Sequence, residues 1–565
     1  MPGSIALSET SSPAVREHST QLGWQSVWPV VWPYWRSREK WGAWGLLVLL
    51  VLTLLIRTGI QVLFLIFGGE LTSALAAQDS DRFFQALIVF LGVLAVGIPF
   101  ASVTGYIGSR LGLAWRNWLT RHYLQQYLTD DQFYQLRLQG RLDNPDQRLA
   151  NDIRTLTQAS LKFFAIGLES LFQLVGIAGV LWSISQPLML FLVGYSLLGT
   201  IIATLFLGRK LVGINYRQLQ READFRFGLA RIREHTEAIA LYRGEKAELQ
   251  QSWGQFGQVF DNFQRLIRWQ LGLNLFQNHY RYATFVIPGL ILAPRLFAGE
   301  LEIGDITQAG AAFSLMLGAL ALIVLQMQQL TDLGAAAQRL GQLQQTLNAP
   351  SLPEDCLIQR RTDHLIALDR LTVLTPDGQI PLVQNLSITI EPGQHLLIMG
   401  PSGVGKSSLL RAIAGLWPRG AGILTSPSRQ QMMFLPQQPY LIDGSLRQQL
   451  LYPRLENSEA IADETFLRVL EQVNLTELLR RWGSLDGGKG QMQTLSPGEQ
   501  QRLVWARLLL QHPPYALLDE ATSALDLRHE AQLYGALQRT EITFISVGHR
   551  LTLRQYHHQV LTLGS

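Results

Sequence analysis

The sequence predicts a chain in two parts: an α-helical membrane domain, then an α/β domain built around a phosphate-binding loop. Three observations lead there. First, 47% of the 565 residues are hydrophobic and only 16% are charged, where a soluble domain carries about a quarter. Second, that shortage of charge is uneven. Residues 41–335 hold long apolar runs, whereas 360–565 has the mixed composition of a soluble domain. Third, Gly400-Pro-Ser-Gly-Val-Gly-Lys-Ser407 has the G-x-x-x-x-G-K-[ST] form, between a strand-like run (His395–Met399) and a helix-like run (Ser408–Gly415).

A chain of this length needs more than one core. The net charge is +4. Its arginines cluster beside apolar segments, which fits membrane topology better than nucleic-acid binding. The single cysteine, Cys356, excludes an intramolecular disulfide.

Residues 1–20 are rich in Ser, Thr and Pro, lack the apolar core of a signal peptide and read as a disordered tail. Across 21–41, Trp24, Trp28, Trp32, Tyr34, Trp35 and Trp41 alternate with Arg36, Arg38 and Lys40. Such a segment predicts a helix lying against membrane lipid. Within 42–335, six apolar segments follow at about 43–67, 84–108, 162–183, 187–208, 275–298 and 306–329, each near the ~20 residues that cross a bilayer. Arginines crowd the long connections after the second and fourth segments, and carboxylates the connection after the first. The positive-inside rule then places the N-terminus, both long loops and the C-terminal domain in the cytoplasm. The loops at about 109–160 and 209–272 read as helical extensions, punctuated by Asn144-Pro-Asp-Gln147 and by an interruption at Gly244. A linker is predicted over 336–365 and the α/β domain over 366–565.

In the phosphate loop, Gly400, Gly403 and Gly405 let the backbone turn tightly, so that the stretch 400–408, which also holds Pro401 (without an N–H), Ser402, Val404 and Ser408, turns its N–H groups toward a phosphate at a helix N-terminus. Lys406 is expected on the β- and γ-phosphates and the Ser407 hydroxyl on Mg²⁺. Gln437 ends a strand where it can reach Mg²⁺ and a water. Leu495-Ser-Pro-Gly-Glu499 opens a helix whose Ser496, Gly498 and N-terminus form a second anion site. Asp519 and Glu520 end an apolar strand, and alternation is expected to point them in opposite directions. Asp519 is then placed for Mg²⁺ and Glu520 for general-base work on water. Asp526 closes the next turn, and His549 ends a strand where it can report the γ-phosphate.

In this order, these motifs resemble the ATP-binding cassette of ABC transporters. The resemblance implies Walker A at Lys406 and Ser407, the Q-loop at Gln437, the signature at 495–499, Walker B with its base at Asp519 and Glu520, the D-loop at Asp526 and the switch at His549. It implies ATP and Mg²⁺ as cofactors. It also implies a homodimer, because the signature of one subunit faces the Walker A of another, and a six-helix domain of the exporter type (type IV). Two departures stand out. Pro497 replaces the usual Gly and removes one N–H. The adenine-stacking aromatic is missing from Leu371–Gly378, leaving Leu374 or Pro376 for that contact.

Tyr34–Trp41 is similar to the segment ahead of the first span in BacA-like bacterial multi-solute importers. Asn144–Gln147 and 234–248 resemble coupling-loop motifs of subfamily D, the peroxisomal fatty-acyl-CoA and cobalamin group. Gly415-Leu-Trp-Pro418 and Thr375-Pro-Asp-Gly378 recur in both. The resemblance implies a multi-pass protein of a bacterial inner membrane and leaves cargo and direction open: hydrophilic solutes such as cobalamin or peptides, or alternatively a fatty-acyl or lipid exporter. An ATP-binding membrane sensor without transport is a third reading, and the presence of Glu520 speaks against it. Arg57, Gln61, Glu169, His279 and Arg281 lie in or near apolar segments. They are expected either to line a polar cargo cavity or to pair between helices, Arg57 with Glu169.

Overall fold

The computed structural model describes residues 24–139, 145–202, 209–320, 326–348, 357–455 and 461–564. The chain divides into two compact units: Met1–Thr129 with Leu142–Asn348, and Asp130–Arg141 with Ala349–Ser565. The expected tail over 1–20 lies outside the described residues.

The first unit is helical: α1 (Trp24–Arg36), α2 (Lys40–Ala76) and α3 (Ser80–Leu128). After α4 (Gln132–Gln139), which belongs to the other unit, come α5 (Pro145–Ile184), α6 (Gln186–Ile202), α7 (Arg209–Glu234), α8 (Thr236–Tyr242), α9 (Glu245–Phe297), α10 (Ile303–Leu320) and α11 (Met327–Leu347). Among the described residues, α2, α3, α5 and α10 are long and apolar enough to cross a membrane, and Gln186–Gly199 forms a shorter apolar helix. The fifth expected segment, 275–298, is the C-terminal part of the 53-residue α9. At 1.5 Å per residue, the 37, 49 and 40 residues of α2, α3 and α5 exceed a hydrocarbon core of about 30 Å. They must continue beyond it as the loop pattern predicts. Helix α11 runs to Leu347, into the stretch read as a linker.

Leu65 of α2, Ile177 and Leu181 of α5, and Phe313 and Met316 of α10 form the core where these helices meet. Close approach there depends on Gly304. A Cβ at this position would lie 2.1 Å from the Gly69 carbonyl oxygen and 2.2 Å from Ser73 Oγ. Helices α7 and α9 pair through buried Asn262, which donates to Ile214 O at 3.0 Å and Gln218 Oε1 at 2.9 Å. The break predicted at Gly244 is real: Arg243 takes a left-handed φ of 54°, which separates the short α8 from α9.

Of the Asn144–Gln147 motif, Pro145, Asp146 and Gln147 are described and open α5. Asn144 lies outside the described residues, and Pro145 starts α5, where its fixed φ suits a helix N-terminus. The next turn, Arg148–Asp152, has π-helical hydrogen bonding. Buried Asp152 accepts two 2.7 Å bonds from Arg339 of α11, and Arg148 Nη1 donates to Arg339 O at 2.8 Å.

The second unit holds two sheets. One has the order β1-β5-β2-β3, with β1 (Gln359–Thr362), β2 (Ile366–Leu374), β3 (Pro381–Ile390) and β5 (Gly420–Ser426). The other is parallel throughout, in the order β6-β7-β8-β4-β9, with β4 (Leu396–Met399), β6 (Met432–Leu435), β7 (Tyr515–Asp519), β8 (Thr543–Val547) and β9 (Gln559–Thr562). Its central strands are buried end to end, as a parallel sheet covered on both faces requires. Helix α12 (Lys406–Ile413) packs between β2, β4 and β8 through Leu409, Leu410 and Ile413. A second core gathers Leu446, Phe466, Trp505 and Tyr534 beneath α13 (Leu446–Leu451), α14 (Asp463–Gln472), α15 (Thr476–Trp482), α16 (Pro497–Gln511) and α17 (Leu527–Gln538).

Helix α4 is part of this unit. Leu138 packs on the α12 core, Gln135 Nε2 donates to Leu416 O at 3.2 Å, and Asp131 pairs with Arg429. Within the first long loop, the piece that groups with the α/β unit is 130–141.

Candidate active site

The phosphate loop leaves β4 at Gly400 and enters α12 at Lys406. Gly400, Gly403 and Gly405 have φ of 143°, 83° and 102°, values that an L side chain resists. Two of them are also crowded. A Cβ would sit 2.4 Å from Leu563 O at Gly400 and 2.9 Å from Leu382 Cβ at Gly405. Pro401, Ser402 and Gly403 form the exposed tip, Val404 packs inward, and Ser408 is half-buried on the first turn of α12. Lys406 is buried, and its Nζ donates to the carbonyls of Gly400 and Pro401 at 2.9 and 2.7 Å. Its ammonium thus stands inside the curve of the loop.

Ser407 Oγ donates to Asp519 Oδ1 at 2.8 Å. Asp519 is 3% exposed. Burial pushes its pKa up, the Ser407 hydrogen bond and the charges of Arg411 and Lys406 pull the other way, and the neighbouring Glu520 raises it again. A hydroxyl and a carboxylate in contact beside a phosphate cradle form a hard oxygen donor pair, which fits Mg²⁺.

Glu520 does not continue the strand. Its φ is 47°, and its N–H donates to Val547 O on β8 at 3.1 Å. The expected alternation of Asp519 and Glu520 is therefore replaced by a left-handed turn. That turn brings the Glu520 carboxylate to two partners from other strand ends: Gln437 Nε2 at 2.9 Å and His549 Nε2 at 3.2 Å. A non-Gly residue in this region costs about 1–3 kcal/mol and marks a functional constraint when the surroundings enforce it. The three residues named from separate motifs converge on one carboxylate, which can take a proton from a water held between Gln437 and His549.

The second anion site is a helix N-terminus closed by a capping box. Ser496 Oγ accepts from Glu499 N, and Glu499 Oε2 accepts from Ser496 N at 2.8 Å. Burial raises the Glu499 pKa, but hydrogen bonds from Ser496 and Arg481 outweigh it and hold it low. Pro497 occupies the first helical position, where an N–H has no intrahelical acceptor in any case. Its loss of an N–H leaves Gly498 as the free backbone donor of that turn. A Cβ on Gly498 would lie 3.4 Å from Ala524 O, so the signature turn touches the D-loop segment. Leu495 is buried beneath it. Asp526 caps α17, and bonds from the His529 backbone and ring hold its carboxyl below the usual range.

Leu374 ends β2 half-buried, and its carbonyl accepts a 2.8 Å bond from Trp417 Nε1. Trp417 thus buttresses the edge where an adenine-stacking aromatic is missing.

Four of the five intramembrane candidates can be placed by their side chains. Arg57 Nη2 pairs with Glu169 Oε1 at 3.2 Å, and Gln173 Nε2 bonds Gln61 Oε1 at 3.0 Å. His279 stands apart, exposed, with its ring on the Leu275 carbonyl of its own helix. The side chain of Arg281 lies outside the described residues. Sequence reasoning missed Gln501, whose amide exchanges 3.0 Å bonds with Ser523 Oγ and Ala524 N. It also missed buried Arg507, which donates to Gln449 O and Tyr440 O, its pKa lowered by burial to about 10. Both sit just beyond the signature motif, and their partners become neighbours only in the fold.

A glycine loop around a buried lysine, a hydroxyl–carboxylate oxygen pair and a carboxylate met by Gln437 and His549, on a chain with helices long and apolar enough to cross a membrane, fit a membrane-embedded ATPase. The family model described as ABC transporter transmembrane region 2 matches residues 30–297, and the one described as ABC transporter matches 383–523. The chain is 43% identical to an uncharacterized ABC transporter ATP-binding protein of Synechocystis sp., covering 93% of this chain and 81% of that protein. It is 37% identical to the chloroplastic ABC transporter D family member 2 of Arabidopsis thaliana (96% and 86% covered) and 31% identical to the lysosomal cobalamin transporter of Homo sapiens (94% and 93% covered). The chain belongs to the ABC transporter family, and its relatives include members of subfamily D. It is an integral membrane protein that binds ATP and couples its hydrolysis to transport.

Proposed function

We propose that two copies of this chain form an ATP-driven transporter for hydrophilic or amphipathic solutes, with cobalamin the first to test. One observation carries the hydrolytic half of this reading: Gln437, Glu520 and His549 converge around one carboxylate. In that site Lys406 and the loop 400–408 hold the phosphates, while Ser407, Asp519 and Gln437 hold Mg²⁺. Glu520 is the base and His549 reads the γ-phosphate. Leu495–Glu499 and Asp526 serve the other subunit's nucleotide. When bound, Mg²⁺ neutralises charge on the transferring phosphate.

Self-association is supported by α9. Leu249, Trp253, Phe260, Phe263, Ile267 and Leu271 are all at least 48% exposed, and their spacings of three, four and seven residues make one apolar stripe. Helix α8 likewise leaves Leu241 and Tyr242 exposed, which suits docking on a partner's cassette, while α4 serves the chain's own. We read six crossings of a bacterial inner membrane with the N-terminus and cassette cytoplasmic; the arginine distribution supports that orientation, and the matched transmembrane region supports the membrane setting. The polar group of Arg57, Gln61, Glu169 and Gln173 is the candidate contact for cargo. Cobalamin is drawn from the name of the human relative.

The test is purified protein in lipid vesicles, with ATPase and uptake measured against cobalamin, acyl-CoA and peptides. Stimulation by cobalamin or peptide with vesicle accumulation supports the proposal. Stimulation by acyl-CoA alone replaces it with a lipid exporter, and hydrolysis unmoved by any cargo favours a sensor.

A further inference from the structure

Glu530 lies on α17, is 1% exposed and has no place in any motif discussed so far. Its carboxylate accepts from three side chains. Thr522 Oγ1 and Arg550 Nη1 meet Oε2 at 2.9 and 3.0 Å, and Thr552 Oγ1 meets Oε1 at 2.8 Å. Arg550 also donates to Leu525 O at 2.9 Å. Thr522 stands two residues after Glu520, Leu525 stands one before Asp526, and Arg550 directly follows His549. Capping of α17 does not need Glu530, because Asp526 fills that role.

We propose that Glu530 is a positioning residue for ATP hydrolysis, holding the segments that follow Glu520 and His549 in one fixed relation. β7 and β8 are in register up to Asp519 and Val547. Beyond them the two chains leave the sheet as irregular backbone, and there Glu520 and His549 must keep a 3.2 Å contact. A buried carboxylate is costly unless fully paired. Among the described residues, its donors all come from the two segments that carry the base and the switch. Its charge suits Arg550, and its second oxygen leaves a site for Thr552. An apolar residue of equal volume would fill the space and tie neither segment. Glu530 touches no reacting atom in this scheme and acts through Thr522 and Arg550.

The proposal rests on the assignment of Glu520 as base, so the test separates the two. The full chain in lipid vesicles is assayed for steady-state ATPase, for binding of a fluorescent ATP analogue and for melting temperature. Glu530→Gln places an amide against Arg550. Its kcat should fall at least about tenfold while KM and analogue binding stay within about twofold, the split expected when only transition-state geometry is lost. Glu530→Asp should recover part of the rate, and Glu541→Gln, an exposed carboxylate of the same unit, should match wild type. A folded Glu530→Gln with wild-type kcat overturns the proposal, as does an equal loss of analogue binding. If Glu530→Gln does not fold, Thr522→Val decides on the same terms: reduced kcat at unchanged KM supports the proposal and unchanged kcat overturns it. Glu520→Gln in parallel tests the base. Should that variant hydrolyse ATP normally, the base assignment fails by itself and Glu530→Gln is still judged on kcat.

Discussion

His549 holds its Nε2 3.2 Å from Oε1 of Glu520, and the amide of Gln437 meets the second oxygen at 2.9 Å. If Glu520 is the base, Glu520→Gln should reduce kcat by roughly 10²–10⁴-fold, with ATP still bound and the cassettes of two copies held together. Trapped nucleotide and cross-linking between subunits check this. Loss of ATP binding in that variant would contradict it.

Gly400 and Gly403 differ in surroundings, and the difference predicts an order. Both have positive φ, but only Gly400 faces a backbone carbonyl, that of Leu563 at 2.4 Å from a built Cβ. Gly403→Ala should cost about 1–2 kcal/mol of loop strain. Gly400→Ala should cost more and also displace the loop, with a lower melting temperature and weaker ATP binding. Equal effects in the two variants would count against the packing account.

Arg57 and Glu169 are paired, which sharpens the question of cargo. Arg57→Ala strands a half-buried carboxylate and should destabilise the protein by about 1–3 kcal/mol, abolish uptake and leave basal ATPase intact. Arg57→Met with Glu169→Gln should recover stability. If uptake returns as well, the pair serves structure alone; if it stays absent, the charges serve cargo.

Two histidines make the cassette sensitive to acid. Burial, then the nearby His558 and His557, push the His395 pKa down to about 4, and burial pushes that of His557 to about 4. His395 stacks on Phe544 and accepts a 3.4 Å bond from its N–H, with His558 beside it; the Tyr534 and Phe544 rings, Ser546 and the Leu553 carbonyl face the His557 ring. Both folded values lie below the unfolded value near 6.5. The unfolded chain therefore binds more protons between pH 6.5 and 4, and stability falls as pH falls through that window, by about 1–3 kcal/mol per residue. Hydrogen exchange of 396–399 and 543–547 should accelerate from pH 6.5 to 4.5 beyond its intrinsic pH trend. His395→Gln with His557→Gln should flatten the difference.

The glycine loop with its Lys and Ser could be read from the sequence because a positive-φ turn and a helix N-terminus impose a fixed spacing. The Asp519–Glu520 pair could be located but not oriented, because strand alternation stops where Glu520 turns left-handed. The buried Asp152–Arg339 pair cannot be read from the sequence because its partners stand 187 positions apart. Pro497 removes one donor from the anion site, and its place at the first helical position means that α16 loses no intrahelical bond with it. The apolar stripe of α9 does not stand out in the sequence because the same helix runs on into the apolar stretch 275–298.

Helix α4 makes the nucleotide-binding unit discontinuous. Gln135 is synthesised 281 positions before the Leu416 carbonyl that receives it, so this segment emerges from the ribosome long before its docking surface exists. A fragment beginning at residue 357 would lack Leu138 and present an apolar notch to water. The cassette of this transporter thus draws part of its packing surface from a piece of chain made near the start.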